Sequence, residues 1–299
     1  MADVAVPPAD ASTALKRAQQ GKSYWLRVWE RLREDKVTLT VMGVLVMLLV
    51  MVVFAPWFTA HDPYSGSVLR RLKPVGTPGH WLGTDEVGRD LWSRMVYGGR
   101  LSLLAGVVPV FLALLVGGFL GIFAGYVGGL LNSVVMRLTD VLYAFPSILL
   151  AIAITGILGA GLKNTILALT ISFIPPIIRI SESVTAQVRN LDFVEAARAS
   201  GASTASIVVH HVLGNVLAPV FIYASSLISV SVLLSAGLSF LGLGVEPPTP
   251  DWGLMLSTLR QAFYVQPLVC ALRGVAFFIT SLSLNLMSDG LRHAMDVRI

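Results

Sequence analysis

The chain has 299 residues, 55% of them hydrophobic and only 13% charged, with a mean hydropathy of +0.75. Soluble domains carry about a quarter charged residues, so the composition excludes an ordinary soluble protein and requires an integral membrane one. The net charge of +5 comes from basic residues scattered over tails and loops, which excludes a nucleic-acid-binding face and suits anionic membrane lipids. A single cysteine, Cys270, excludes an internal disulfide and a cysteine-based metal cage.

Residues 1–36 read as a tail in which a Pro/Ala/Asp/Ser tract gives way to a basic, aromatic stretch containing Lys22, Trp25, Arg27, Trp29, Arg31, Arg33 and Lys36. That mixture suits an interfacial helix leading into the bilayer. Gly21-Lys22-Ser23 imitates the end of a phosphate-binding loop, but Lys16 stands where such a loop needs glycine. Residues 37–60 contain no charge and are long enough to cross about 30 Å of hydrocarbon. Phe54-Ala55-Pro56-Trp57 offers no clear cleavage site, so this run is expected to be an uncleaved first transmembrane helix.

Residues 61–100 form an extracytoplasmic segment rich in Pro and Gly. Thr84 is a candidate helix cap there, Asp85 and Glu86 suit a first turn, and Leu91, Trp92, Met95 and Val96 give an apolar face, predicting a short interfacial helix. A membrane-embedded core is expected over 101–290, with spans at 101–126, 145–162, 165–180, 217–238 and 267–287, followed by a short tail at 291–299. Gly117, Gly121, Gly125 and Gly129 recur at four-residue spacing, a helix-packing stripe along which another backbone can approach. Pro175-Pro176 interrupts the fourth span, predicting a kink or a break. Arg179 and Glu182, three residues apart, are placed to share a helix face in a salt bridge. Residues 239–266 leave the membrane through glycine and proline turns, and Trp252, Leu254 and Met255 return to the interface. Arg273 is unusual within a span: it either snorkels outward or faces a pathway, where it would repel cations.

One polar, patterned stretch interrupts the hydrophobic second half. Asp192 and Glu195 have capping-box spacing, predicting a helix start. Ala196, Ala197, Ala199 and Ser200 make that helix short and small-sided, Gly201 can end it in a left-handed conformation, and Ser203 can cap a second helix over 204–212. The residues alone leave two readings, an ordinary helix-turn-helix loop or a docking element for a partner's groove.

Glu195-Ala196-Ala197, Gly201, Ala202 and Ile207, followed by a hydrophobic segment, resemble the EAA loop of permease subunits of ATP-binding-cassette importers. A second, narrower resemblance lies in Leu82-Gly83-Thr84-Asp85-Glu86, Gly88-Arg89-Asp90-Leu91 and 238–255, which are similar to the C-type permease of dipeptide and oligopeptide importers. Two departures stand out. Gly214 sits where the family usually has proline, and Arg273 occupies the place before Gly274 where the pattern tends to have proline.

The resemblance implies an all-α integral membrane fold with six transmembrane helices, the type I importer permease bundle. It implies that Asp192, Glu195, Ala196, Ala197, Ala199, Gly201, Ala202 and Ile207 belong to a coupling helix seated on an ATPase subunit. It further implies a homologous B-type permease, two cytoplasmic ATPases that use ATP and Mg, and an extracytoplasmic substrate-binding protein as partners, in a bacterial inner membrane. The implied cargo is dipeptides or oligopeptides, with nickel, opines or another small solute as the alternative.

Six spans put both termini on one side. Basic residues favour the cytoplasm for that side and for the 192–214 loop, although Arg70, Arg71, Lys73, Arg89, Arg94 and Arg100 weigh on the other. The chain shows no phosphate-binding loop, no catalytic residues and no cofactor site of its own. His61, His80, His210, His211 and His293 are scattered in sequence, which argues against a metal site, and His210-His211 suits an interfacial cap to the loop. A stand-alone secondary transporter would carry ionisable mid-membrane sites or internal repeats, and neither is convincing.

Overall fold

The computed structural model describes residues 24–258, 264 and 266–295. Lys16, Lys22 and the Gly21-Lys22-Ser23 triplet, together with Arg260 and Arg298, lie outside the described residues. Within them every regular element is helical, and the β pairing is limited to the isolated bridges Thr77 to His80 and Thr84 to Asp90.

Helix α1 (Tyr24–Glu34) turns into α2 (Lys36–Val53) at Asp35. The Asp35 carboxylate accepts from the amides of Val37 at 3.0 Å and Thr38 at 3.3 Å and from the Thr38 hydroxyl. The Thr38 hydroxyl bond, followed by the amide bonds, holds Asp35 below the usual carboxylate range. α1 rests on the end of the last helix through Val28, Leu32 and Ala294. The short α3 (Ala55–Phe58) completes the first apolar run. Arg100 donates to the Val52 and Val53 carbonyls, both at 2.8 Å, answering backbone acceptors that α2 leaves unpaired at its end.

The remaining helices are α4 (Leu91–Val127), α5 (Gly129–Tyr143), α6 (Ser147–Leu158), α7 (Leu162–Arg189), α8 (Asp192–Ala199), α9 (Thr204–Phe240), α10 (Trp252–Ser257) and α11 (Pro267–Met295). Five described helices are long and apolar enough to cross a membrane, or six if the bent pair α5 and α6 counts as one span. Lipid supplies little apolar driving force between helices, so association depends on close packing of small residues. α4 and α7 show this. A Cβ on Gly117, Gly121 or Gly125 would lie 2.9, 2.5 or 2.7 Å from the carbonyl oxygens of Ile174, Ile178 and Glu182. Around that contact Val110, Ala113, Ala151, Leu169, Phe173, Ile177, Leu227 and Leu238 join α4, α6, α7 and α9 into one core. α11 closes the bundle against α9 and α2, with the Ser225 and Ser288 hydroxyls 3.1 Å apart.

Several expectations are corrected. The interfacial helix and the second span are one 37-residue helix, α4, and its cap is Asp90, not Thr84. Gly129 leaves the glycine stripe: it opens α5 after the break at Gly128 and has nothing within 4 Å of a Cβ. Of the third span expected over 145–162, the structure gives the 12-residue α6, which ends at Leu158 and reaches spanning length only together with α5, from which it is bent by 82° across Pro146. α5 crosses α7 obliquely: Asn132 reaches Glu182 at 2.8 Å and Asp140 pairs with Arg179. Arg179 and Glu182 therefore bind different partners on α5 rather than each other. Of the kink or break expected at Pro175-Pro176, the break is absent: α7 is continuous there and packs against α4, α6 and α9. α9 continues from Thr204 through a π turn at Val208–Val212 into the span, so Gly214 lies inside a helix and ends nothing.

Candidate functional site

α8 lies between the last turn of α7 and the first of α9, at the same end of the bundle as α1 and the last turns of α11. Its start differs from the capping-box expectation. Leu191 is the cap and Asp192 the first helical residue, with the Val194 and Glu195 amides donating to the Leu191 carbonyl at 2.9 and 3.2 Å. Backbone pairing replaces the side-chain cap, which leaves the carboxylates of Asp192 and Glu195 in the first turn, where the helix dipole favours them.

The end of α8 follows the expectation. Gly201 has φ +78°, its amide donates to the Arg198 carbonyl at 3.0 Å, and the Ala202 amide reaches the Ala197 carbonyl at 3.2 Å. This double closure is the Schellman arrangement, which needs a left-handed residue at the Gly201 position. Ser203 then caps α9 by accepting from the Ser206 amide at 3.3 Å.

Below α8 lies a patch of valines. Val194 is fully buried among Val188, Ile207, Val212, Val216 and Val220, with Ala197 and Ala202 packed at its edge. The predicted residues therefore divide. Asp192, Glu195, Ala196, Ala199 and Gly201 are exposed; Ala197 and Ala202 face partly inward; Ile207 is part of the core beneath. Val194 was not singled out from sequence, although Val212, Val216 and Val220 repeat every fourth residue and signal the stripe on which it rests. His210 Nδ1 donates to the Ser206 carbonyl at 3.0 Å, and the His211 ring lies 6.4 Å from that of Phe193. Arg189 donates to the Tyr126 carbonyl at 3.0 Å, joining the end of α7 to the end of α4.

The second motif builds the opposite end. Asp85 accepts from the Val87 and Arg89 amides and from Arg89 Nε, at 2.9, 2.9 and 2.7 Å, and lies 3.3 Å from Arg94 Nε. Gly88, at φ +79°, passes so close to the Ser67 backbone that no Cβ fits. Arg94 donates to the carbonyls of Pro63 at 3.0 Å and Pro248 at 3.1 Å. Asp251 caps α10 through the Leu254 amide at 3.0 Å and accepts from Ser102 at 2.7 Å. Arg273 neither snorkels outward nor faces an open pathway: its side chain is 3% exposed, Nη1 donates to the Met255 carbonyl at 3.0 Å, and Nη2 stands 3.7 Å from Glu86. The apolar residues Trp252, Leu254 and Met255 are buried against this knot rather than returned to an interface. Two histidines that sequence spacing separates, His61 and His80, also meet here beside Asp90.

Residues 117–299 match the family described as the binding-protein-dependent transport system inner membrane component, and residues 23–74 match the N-terminal transmembrane domain of oligopeptide transport permease C. The chain belongs to this family of transport-system permeases: it is the multi-pass membrane component of an ABC importer. It is 36% identical over 290 residues to the glutathione transport system permease protein GsiD of Pectobacterium atrosepticum, covering 97% of this chain and 96% of that one. The protein of the same name from Escherichia coli O6:K15:H31 is 38% identical over 285 residues, covering 95% and 94%. Among solved structures, the inward-facing MetNI methionine ABC transporter aligns with a TM-score of 0.55 at 23% identity, covering 68% of this chain and 97% of that one. An amino acid ABC transporter with histidines aligns at 0.52 and 16%, covering 67% and 94%. These two establish the fold alone, that of a type I importer permease.

Proposed function

We propose that this permease carries dipeptides or oligopeptides across a bacterial inner membrane by alternating access, with α8 as its mechanical input. In this reading both termini and α8 are cytoplasmic, and one of two ATPase subunits grips the exposed face of Asp192, Glu195, Ala196 and Ala199. The ATPases bind and hydrolyse ATP with Mg; a B-type permease completes the pathway and an extracytoplasmic binding protein delivers the cargo. The N-terminal match to oligopeptide permease C and the glutathione permeases among the relatives support a peptide cargo.

The observation that carries the reading is the mounting of α8. Its outer face is exposed, with Ala196 and Ala199 beside Asp192, Phe193, Glu195 and Arg198, and its inner face is fixed by the buried Val194 to α7 and α9, so force applied outside passes into two spans. Docking couples to the cycle only if its energy differs between the inward and outward states, typically by about 1–3 kcal/mol. Reconstituted transporter carrying Ala199→Trp is the test. It should fold and insert normally yet lose ATP-driven uptake of labelled di- and tripeptides and co-purify poorly with its ATPase. Full uptake by that variant would refute the assignment of this face.

A further inference from the structure

We propose that His61, His80 and Asp90 form a binding site for one divalent transition-metal ion of the zinc class. The three residues come from separate turns of the 61–90 segment, and atoms able to ligate a metal lie within 4.8 Å of one another. His80 and Asp90 are 5% and 4% exposed, and His61 is half-buried with its ring centroid 4.6 Å from that of His80. Two imidazoles and a carboxylate are a donor set that zinc-class ions accept, with the fourth position left to water.

The scaffold holds the ligands before any ion arrives. Asp90 Oδ2 accepts from the Ser93 amide and hydroxyl, both at 2.8 Å, as the cap of α4. The His80 amide donates to the Thr77 carbonyl at 2.8 Å. Near His61, Arg94 grips the Pro63 carbonyl at 3.0 Å. Such outer hydrogen bonds orient metal ligands and set their basicity.

His80 Nδ1 donates to Asp90 Oδ1 at 2.8 Å. Ligand bonds of about 2.0–2.1 Å imply tetrahedral edges of about 3.3 Å, so this pair must open by about half an ångström while His61 closes over it. The metal would replace the proton on His80 Nδ1, which passes to Nε2, so the ring ligates as the neutral imidazole beside the Asp90 carboxylate. Bound metal would tie the start of the 61–90 segment to the first turn of α4, a constraint separate from α8 and from the cargo.

The test uses the full-length chain, purified in detergent without an oligohistidine tag, stripped by chelator and titrated with Co2+ and then Zn2+. One equivalent of Co2+ should bind per chain with the visible absorption of a tetrahedral centre and be displaced by Zn2+. His61→Phe keeps an aromatic ring over His80 and should weaken binding at least about tenfold. The double variant His210→Ala, His211→Ala should leave it unchanged. Absence of stoichiometric binding, or equal affinity in His61→Phe, overturns the proposal and reduces the pair His80 and Asp90 to a hydrogen-bonded helix cap.

Discussion

At the 61–90 end of the bundle, Asp85 and Glu86 are packed against Arg89, Arg94 and Arg273, and two more carboxylates, Asp90 and Asp251, cap helices from buried positions. At the α8 end, a single eight-residue helix stands on valines and is closed by backbone hydrogen bonds around one glycine. The first end ties four separate segments with largely buried charges, so losing any one strands the others. The second is held by side chains without polar obligations, and its outer face carries little that the fold needs. One end is thus suited to resist deformation and the other to be gripped and moved. An ATP-driven permease needs both.

The largest effect tests the rigid end. Arg94→Ala should leave Asp85 without one of its two guanidinium partners and free the Pro63 and Pro248 carbonyls. Breaking such a buried set costs about 3–5 kcal/mol, and thermal unfolding in detergent should show a large drop with little folded protein recovered from membranes. A mild effect would mean that this end is more hydrated than its burial suggests.

Val194→Ala comes next, since removing two buried methyls at about 0.8 kcal/mol per carbon group costs somewhat under 2 kcal/mol. Its expected signature is selective: proteolysis between α7 and α9 accelerates while unfolding of the whole chain hardly shifts. Gly201→Val forces a β-branched residue into the left-handed region, at about 1–2 kcal/mol. Membrane insertion should stay normal while ATP-dependent uptake falls, and undiminished uptake would remove the role assigned to this turn.

Ala199→Trp sits at the small end of the scale for stability, within about 0.5 kcal/mol as an exposed substitution, but should impair transport most specifically. Ala197→Trp supplies the contrast. Because Ala197 packs partly on the valine patch, that variant should lower stability as well as transport, so the two alanines separate docking from mounting.

Much of this architecture was legible in the chain itself. Long charge-free runs can only be spanning helices, because backbone groups in hydrocarbon must pair within their own segment. Gly201 and Ser203 announce a stop and a start within three residues, and Gly117, Gly121 and Gly125 announce a close contact, because these types satisfy local geometric demands that few others meet. Helix starts were read less well. Thr84 and Asp192 both looked like caps, and both were displaced, by Asp90 and Leu191, because capping depends on which of several nearby oxygens the fold turns toward the free amides.

The partners of charged groups were decided entirely by tertiary structure. Arg179 and Glu182 share a helix turn, yet α5 crosses close enough to offer each a separate partner, Asp140 and Asn132. Arg273 looked anomalous within an apolar run until Glu86 and the Met255 carbonyl were brought to it from 187 and 18 residues away in sequence. Hydrophobicity and backbone conformation are properties of neighbours along the chain, so a sequence states them directly. Charge pairing and ligand clusters such as His61, His80 and Asp90 depend on distances between segments, and only the folded bundle sets those.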